Sequence, residues 1–174
     1  YKHLEPYQQH IFNIVVGDVM ILVCFGYNTL LSVYILILVS WLLFQILGDF
    51  ESAWKVMVLW GWCLGYLSCV KLYKMFIYWL EWRMDGTGIL MMLVIRITTF
   101  SWNYFDGMRY KTTHTKTKNT VFLMPTFIEW IGWLHFIPGF MTAPNIQYKE
   151  YYRFTNKYLR YTSSAKPITN IYRL

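Results

Sequence analysis

Arg96, Thr99, Asn103 and Asp106 follow one another at spacings of three, four and three along an otherwise apolar run, ILMMLVIRITTFSWNYFDG. Projected at about 100° per residue they fall within ~80° of one another, a narrow polar stripe on one helix. Such a stripe is not matched to lipid. Arg96 lies ~10 Å of helix beyond Ile89, near mid-bilayer, where an uncompensated charge costs at least ~2.5 kcal/mol. Asp106 stands ~15 Å further along the axis, too far for a direct ion pair. Arg96 therefore requires a polar cavity or a partner from another element, with Asp18, Asp49 and Glu129 as the candidate acids. Two readings stand side by side, a buried network that joins helices and a stripe that lines a substrate tunnel.

Two further residues could carry chemistry. Glu129 comes one turn after Pro125, where an acid is favoured by the helix N-terminal dipole and serves to start the helix; alternatively it orients a substrate amine or hydroxyl in a headgroup site. His135 is the only histidine inside an apolar segment. There it is expected to be a satisfied core residue before it is a catalyst. His3, His10 and His114 fall in interfacial or loop segments and form no cluster with Cys or carboxylates at metal-ligand spacing. No metal site is expected. The chain carries no glycine-rich phosphate loop, Ser/His/Asp arrangement or zinc motif.

The elements that must hold these residues follow from composition. The chain has 174 residues, of which 56% are hydrophobic, 21% aromatic and only 14% charged, against about 25% charged in soluble domains. The apolar residues arrive in uninterrupted blocks of roughly 15 to 20, the length of a membrane-crossing helix. An all-α, multi-pass transmembrane protein is expected, and a soluble cofactor domain, disorder or a disulfide scaffold is disfavoured. Nine Trp and fifteen Tyr suit the membrane–water interface. Cys24, Cys63 and Cys69 all sit in apolar blocks and read as small core residues.

Spans are expected at about 11–25, 29–47, 54–70 and 89–105, with Thr87 placed to cap the last of them. A half-depth element is expected at 75–82. Residues 108–120 and the tail 145–174 are both basic, so the positive-inside bias puts them on one face. The intervening segment 121–144 would then be re-entrant, broken at Pro138-Gly139 and followed by Pro144. The net charge of +7 is concentrated here: residues 108–174 hold ten basic and two acidic groups. Anionic headgroups explain this balance more simply than nucleic acid, which is not expected as a partner. The chain opens with Tyr and shows no signal-peptide pattern, so an internal piece of a longer protein is expected.

The run Asp85-Gly86-Thr87-Gly88, then Met91, Val94, Arg96, Phe100, Trp102-Asn103 and Asp106-Gly107, resembles a segment of membrane-bound O-acyltransferases that act on lysophospholipids. A second block, Pro125, Ile128-Glu129-Trp130, Gly132, Phe136, Pro138, Pro144, Tyr148, Tyr151 and Phe154, is similar to that branch's next motif in order and spacing. Ala143 stands where the family usually has glycine. The resemblance covers residues 85–154; residues 1–84 match by general hydropathy only. It implies a partial O-acyltransferase fold; taken with the polar stripe, Arg96, Thr99, Trp102, Asn103, Asp106, Gly107, Glu129, His135, Pro138 and Pro144 are the candidates to line a substrate tunnel or form a structural polar network, although His135 does not fall on a family histidine position.

The same resemblance implies that the catalytic histidine and its assisting asparagine or histidine lie beyond Leu174. No catalytic residue is expected within the chain, which would be inactive alone. The implied reaction is fatty acyl transfer from acyl-CoA, a co-substrate, to a lysophospholipid, with no bound cofactor. Membrane lipids are the expected surroundings and the endoplasmic reticulum the expected compartment. The competing readings are a non-enzymatic membrane scaffold or subunit, or a relative that acylates a sterol, diacylglycerol or protein.

Overall fold

The computed structural model describes residues 6–48, 52–77, 86–113, 121, 124–136 and 146–155. Every regular element among them is helical: α1 Pro6–Phe25, α2 Tyr27–Leu47, α3 Ala53–Ile77, α4 Thr87–Thr113, α5 Phe127–Leu134 and α6 Tyr148–Thr155. The first four are long and apolar enough to cross a membrane.

One residue, Gly26, separates α1 from α2, and its φ of 79° lies in the left-handed region that only glycine enters cheaply. The chain doubles back there. Asp18 and Tyr34, equally distant from Gly26 in sequence, meet across the hairpin through a hydrogen bond of 2.6 Å. The core then builds outward from α2, whose Val33, Leu36 and Ile37 are fully buried with Val56 and Leu59 of α3 and Leu93 and Ile97 of α4. A sulfur contact of 3.9 Å between Ser40 and Cys63, and a bond from the Tyr66 hydroxyl to the Ser32 carbonyl at 3.0 Å, tie α3 to α2. Lys55 donates to the Leu47 carbonyl at 2.7 Å, placing a cation at the C-terminal end of α2, where the helix dipole favours it.

α1 is inverted relative to a helix in water. Gln9, His10, Asn13, Gly17 and Ile21 are its buried residues, while Ile11, Phe12, Val15, Val19, Leu22 and Val23 are exposed. Lipid tails are as apolar as leucine, so burying apolar side chains between helices has little driving force in a bilayer. Polar groups and close packing decide which face turns inward. The inner face of α1 lies against α5.

Several boundaries differ from the sequence expectation. Pro6 opens α1 well before residue 11, since proline is preorganised for a first helical position. Met75–Ile77 belong to α3 instead of starting a separate half-depth element: Lys71 and Lys74 interrupt the hydropathy but not the helix, and a cation in the last turn suits its dipole. Residues 78–82 lie outside the described residues. α4 runs on to Thr113, so the start of the basic segment 108–120 is helical. Within 121–144 the regular element is α5, and the Pro138-Gly139 break and Pro144 lie outside the described residues.

Candidate functional site

The polar stripe of α4 divides by depth. Arg96 is 2% exposed, whereas Thr99, Asn103 and Asp106 are half-buried. The Arg96 guanidinium donates from one nitrogen to the carbonyls of Trp133 and Leu134, at 3.2 and 2.9 Å. These carbonyls belong to the last residues of α5, beyond the reach of the α-helical bond pattern; Trp133 also accepts the Phe136 amide at 3.2 Å. A cation is favoured there by the helix dipole. The sequence required a polar cavity or a partner from another element, with Asp18, Asp49 and Glu129 as candidate acids; the described contacts of Arg96 are with a helix end, while Asp18 and Glu129 are engaged elsewhere. Asp49 lies outside the described residues.

The remaining stripe residues are used locally. The Thr99 hydroxyl donates to the Ile95 carbonyl at 2.7 Å, satisfying itself within α4. The Asn103 carbonyl accepts a backbone bond from Val121 at 3.1 Å. Gly107 permits that approach, because a Cβ there would collide with the Val121 carbonyl. Trp102 is partly buried and packs edge-to-face with Trp60 of α3 and with Phe105.

At the other end of α5, Thr126 and Glu129 form a reciprocal capping box, with the Thr126 amide donating to Glu129 Oε2 at 3.0 Å. Glu129 thus starts the helix, satisfying donors that would otherwise be orphaned. The body of α5 is buried from Trp130 to Leu134. Its tryptophans meet Phe100 of α4, which has ring centroids 4.8 Å from Trp130, 5.8 Å from Trp133 and 5.5 Å from Tyr148. Phe44 of α2 closes this wall at 5.3 Å from Trp130. The Trp133 indole donates to the Ile146 carbonyl at 3.0 Å. Burial, and then the Glu129 charge, raise the Tyr148 phenol above its ordinary range, so it stays neutral.

His135 caps α5 at its C-terminal side. Its side chain is wholly buried: Nδ1 lies 3.0 Å from the Ile131 carbonyl and Nε2 lies 3.2 Å from Asp18 Oδ1, bent from ideal hydrogen-bond geometry. Tyr34 donates to the other oxygen of Asp18. A Cβ at Gly17 would stand 2.8 Å from His135 Cβ, so glycine lets α1 come this close. Arg96 and Asp18 thereby hold the same end of α5 from two different helices.

A second polar junction was not legible in the sequence. His10, expected at the interface, is 4% exposed. Its Nδ1 lies 2.6 Å from the Tyr151 hydroxyl, and Asn13 donates to the same oxygen at 3.3 Å. Gly132 makes room for it, since a Cβ there would be 3.0 Å from His10 Cβ. The spacing of Gln9, Asn13 and Gly17 along one face of α1 was the available signal.

Both described histidines within the membrane region therefore have structural partners. Among the described residues no group of three or more His, Cys, Asp or Glu could hold a metal ion.

No family model matches the chain. It is 30% identical over 91 residues to "Lysophospholipid acyltransferase 1" of Arabidopsis thaliana, a match covering 51% of this chain and 20% of that protein. It is 27% identical over 154 residues to "Membrane-bound glycerophospholipid O-acyltransferase 2" of Gallus gallus, covering 86% and 29%. A third relative, "Lysophospholipid acyltransferase 6" of Drosophila melanogaster, is 24% identical over 98 residues, covering 55% and 14%. The chain spans less than a third of the length of each of these curated relatives.

Proposed function

We propose, from relatives that support membership of the membrane-bound O-acyltransferase family, that the whole protein transfers a fatty acyl chain from acyl-CoA to the free hydroxyl of a lysophospholipid. The observation that carries this reading is the similarity to lysophospholipid acyltransferases over about half of the chain, and to a membrane-bound glycerophospholipid O-acyltransferase over 86% of it. The endoplasmic reticulum is the compartment we assign to it.

In this reaction the hydroxyl loses its proton to a general base and the oxygen attacks the thioester carbonyl. The thiolate of CoA leaves and takes up a proton. We place that base outside these 174 residues, because the His135 side chain is wholly buried, with Nδ1 on the Ile131 carbonyl and Nε2 facing Asp18, and His10 is held by Tyr151. The role of the chain is then to build the wall. α5 is fixed at its start by Glu129, along its length by Phe100 and Phe44, and at its end by Arg96 and Asp18. The half-buried Thr99, Asn103 and Asp106 continue from Arg96 along α4 as the side of a substrate passage. Glu129 is occupied by its capping role, which favours the structural over the headgroup reading.

The test is direct. Membranes containing the full-length protein convert lysophospholipid and acyl-CoA to phospholipid, and membranes containing only residues 1–174 do not. No product from abundant full-length protein, across several headgroups, removes the reading and favours a scaffold. Activity in the 174-residue chain alone removes the placement of the base. In the full-length protein, Asn103→Ala and Asp106→Ala are measured for abundance and initial rate on the same membranes. Passage-lining residues change KM or kcat at normal abundance, whereas purely structural ones lose rate in step with protein level.

A further inference from the structure

We propose that Asp18, Tyr34 and His135 form a latch closed by one shared proton, which joins the α1–α2 hairpin to the C-terminal end of α5. It is independent of the reaction the whole protein catalyses.

The proton count comes from geometry. A carbonyl oxygen only accepts, so His135 Nδ1, 3.0 Å from the Ile131 carbonyl, carries a hydrogen. A neutral imidazole has only one N–H, and its Nε2 would then present a bare lone pair. That nitrogen lies 3.2 Å from Asp18 Oδ1. Tyr34 has one hydroxyl proton and directs it to the opposite carboxylate oxygen at 2.6 Å. Two lone pairs facing each other in a buried site repel. A proton between Nε2 and Oδ1 removes the repulsion, whether it resides on the ring or on the carboxyl. The pair then has no net charge, which is what a membrane interior favours.

Among the described residues, the polar groups of the elements packed around the latch are committed to other partners. α1 contributes Asp18 and α2 contributes Tyr34, whose hydroxyl is already committed. From α4, Arg96 is engaged with the carbonyls of Trp133 and Leu134. The acid of α5, Glu129, is at the far end in its capping box, and from α6 Tyr151 is taken by His10 and Asn13.

Loss of the shared proton to solvent has an asymmetric outcome. The Asp18 side chain is 27% exposed at the surface of α1, whereas the His135 side chain is 0% exposed, so Asp18 can swing away from the contact while His135 cannot do so without movement of α5. Raising the pH therefore loosens the end of α5 from α1, and lowering it again restores the contact.

The experiment is amide hydrogen exchange on the full-length protein in micelles, corrected for intrinsic rates with an unstructured peptide of the same sequence. On raising the pH the corrected protection of residues 131–135 is expected to fall by about tenfold or more, while the middle of α4 keeps its protection. Asp18→Asn supplies its own amide hydrogen to Nε2 and still accepts from Tyr34, so its protection stays flat with pH. Equal pH slopes in wild type and Asp18→Asn, or a loss spread evenly over α2 to α4, overturn the proposal. If the variant does not accumulate, nitrogen NMR of His135 in the wild-type protein decides. A protonated or hydrogen-bonded Nε2 at neutral pH upholds the latch, and a free, bare Nε2 overturns it.

Discussion

The guanidinium of Arg96 meets the carbonyl oxygen of Leu134 at 2.9 Å, a cation set against the end of a helix. This gives Arg96 a role that a neutral side chain cannot fill. Arg96→Leu takes the guanidinium from the Leu134 carbonyl, while the Trp133 carbonyl keeps the Phe136 amide, and is expected to destabilise the full-length protein by about 1 to 3 kcal/mol. Arg96→Lys keeps a cation but loses the planar fork and falls between the two. Thermal unfolding in detergent measures the order; equal melting of Leu and wild type would show that the carbonyls do not depend on Arg96.

Two glycines inside helices should respond in opposite ways. Gly17→Ala places a methyl 2.8 Å from His135 Cβ and 3.0 Å from its carbonyl oxygen, so α1 and α5 must separate. A loss of about 1 to 3 kcal/mol is expected from such overpacking. Gly61 has open space around it. Gly61→Ala is therefore expected to be neutral or to gain up to about 1 kcal/mol from helix propensity. Comparing their melting temperatures checks the close approach of α1 to His135.

Tyr151→Phe removes the oxygen shared by His10 and Asn13 while keeping the ring. An expected loss of about 1 to 2 kcal/mol follows from leaving buried polar groups without that bond. In a double-mutant cycle with His10→Phe the two losses are expected to be non-additive, since each single change already breaks the same contact. Strict additivity would mean that the two residues act separately.

Glu129 offers a separation of charge from hydrogen bonding. Glu129→Gln retains an oxygen to accept from the Thr126 amide, and both abundance and initial rate of the full-length protein are expected to stay near wild type. Glu129→Ala removes the acceptor and is expected to lower the melting temperature. Normal abundance with a raised KM in Glu129→Gln would instead mark contact with a substrate headgroup.

That the chain forms four helices long and apolar enough to cross a membrane was legible, because length and hydropathy carry that property directly. The burial of Arg96 was also legible from its place in the stripe. Its partner was not, because a sequence displays acids but not the unsatisfied carbonyls at a helix end, which exist only once α5 has formed. His10 was misplaced for a related reason. It follows a polar stretch, and only Tyr151, 141 residues later, draws it inside. The capping of α5 could be read locally, since Thr126 and Glu129 carry the required spacing in four consecutive residues.

The inverted face of α1 bears on how the nascent chain enters the bilayer. His10, Asn13 and Asp18 leave the ribosome long before His135, at the end of α5, and Tyr151 of α6, which receive them. Until then, of these described contacts, the bond from Tyr34 to Asp18 is the one that can form. Insertion as a lone helix in lipid is therefore disfavoured, and α1 must be retained beside the translocon or a chaperone until α5 arrives. Chains stopped after α4 should leave α1 cross-linkable to the insertion machinery, and chains extended past Thr155 should release it. Early release in both would show that the α1–α2 hairpin alone suffices.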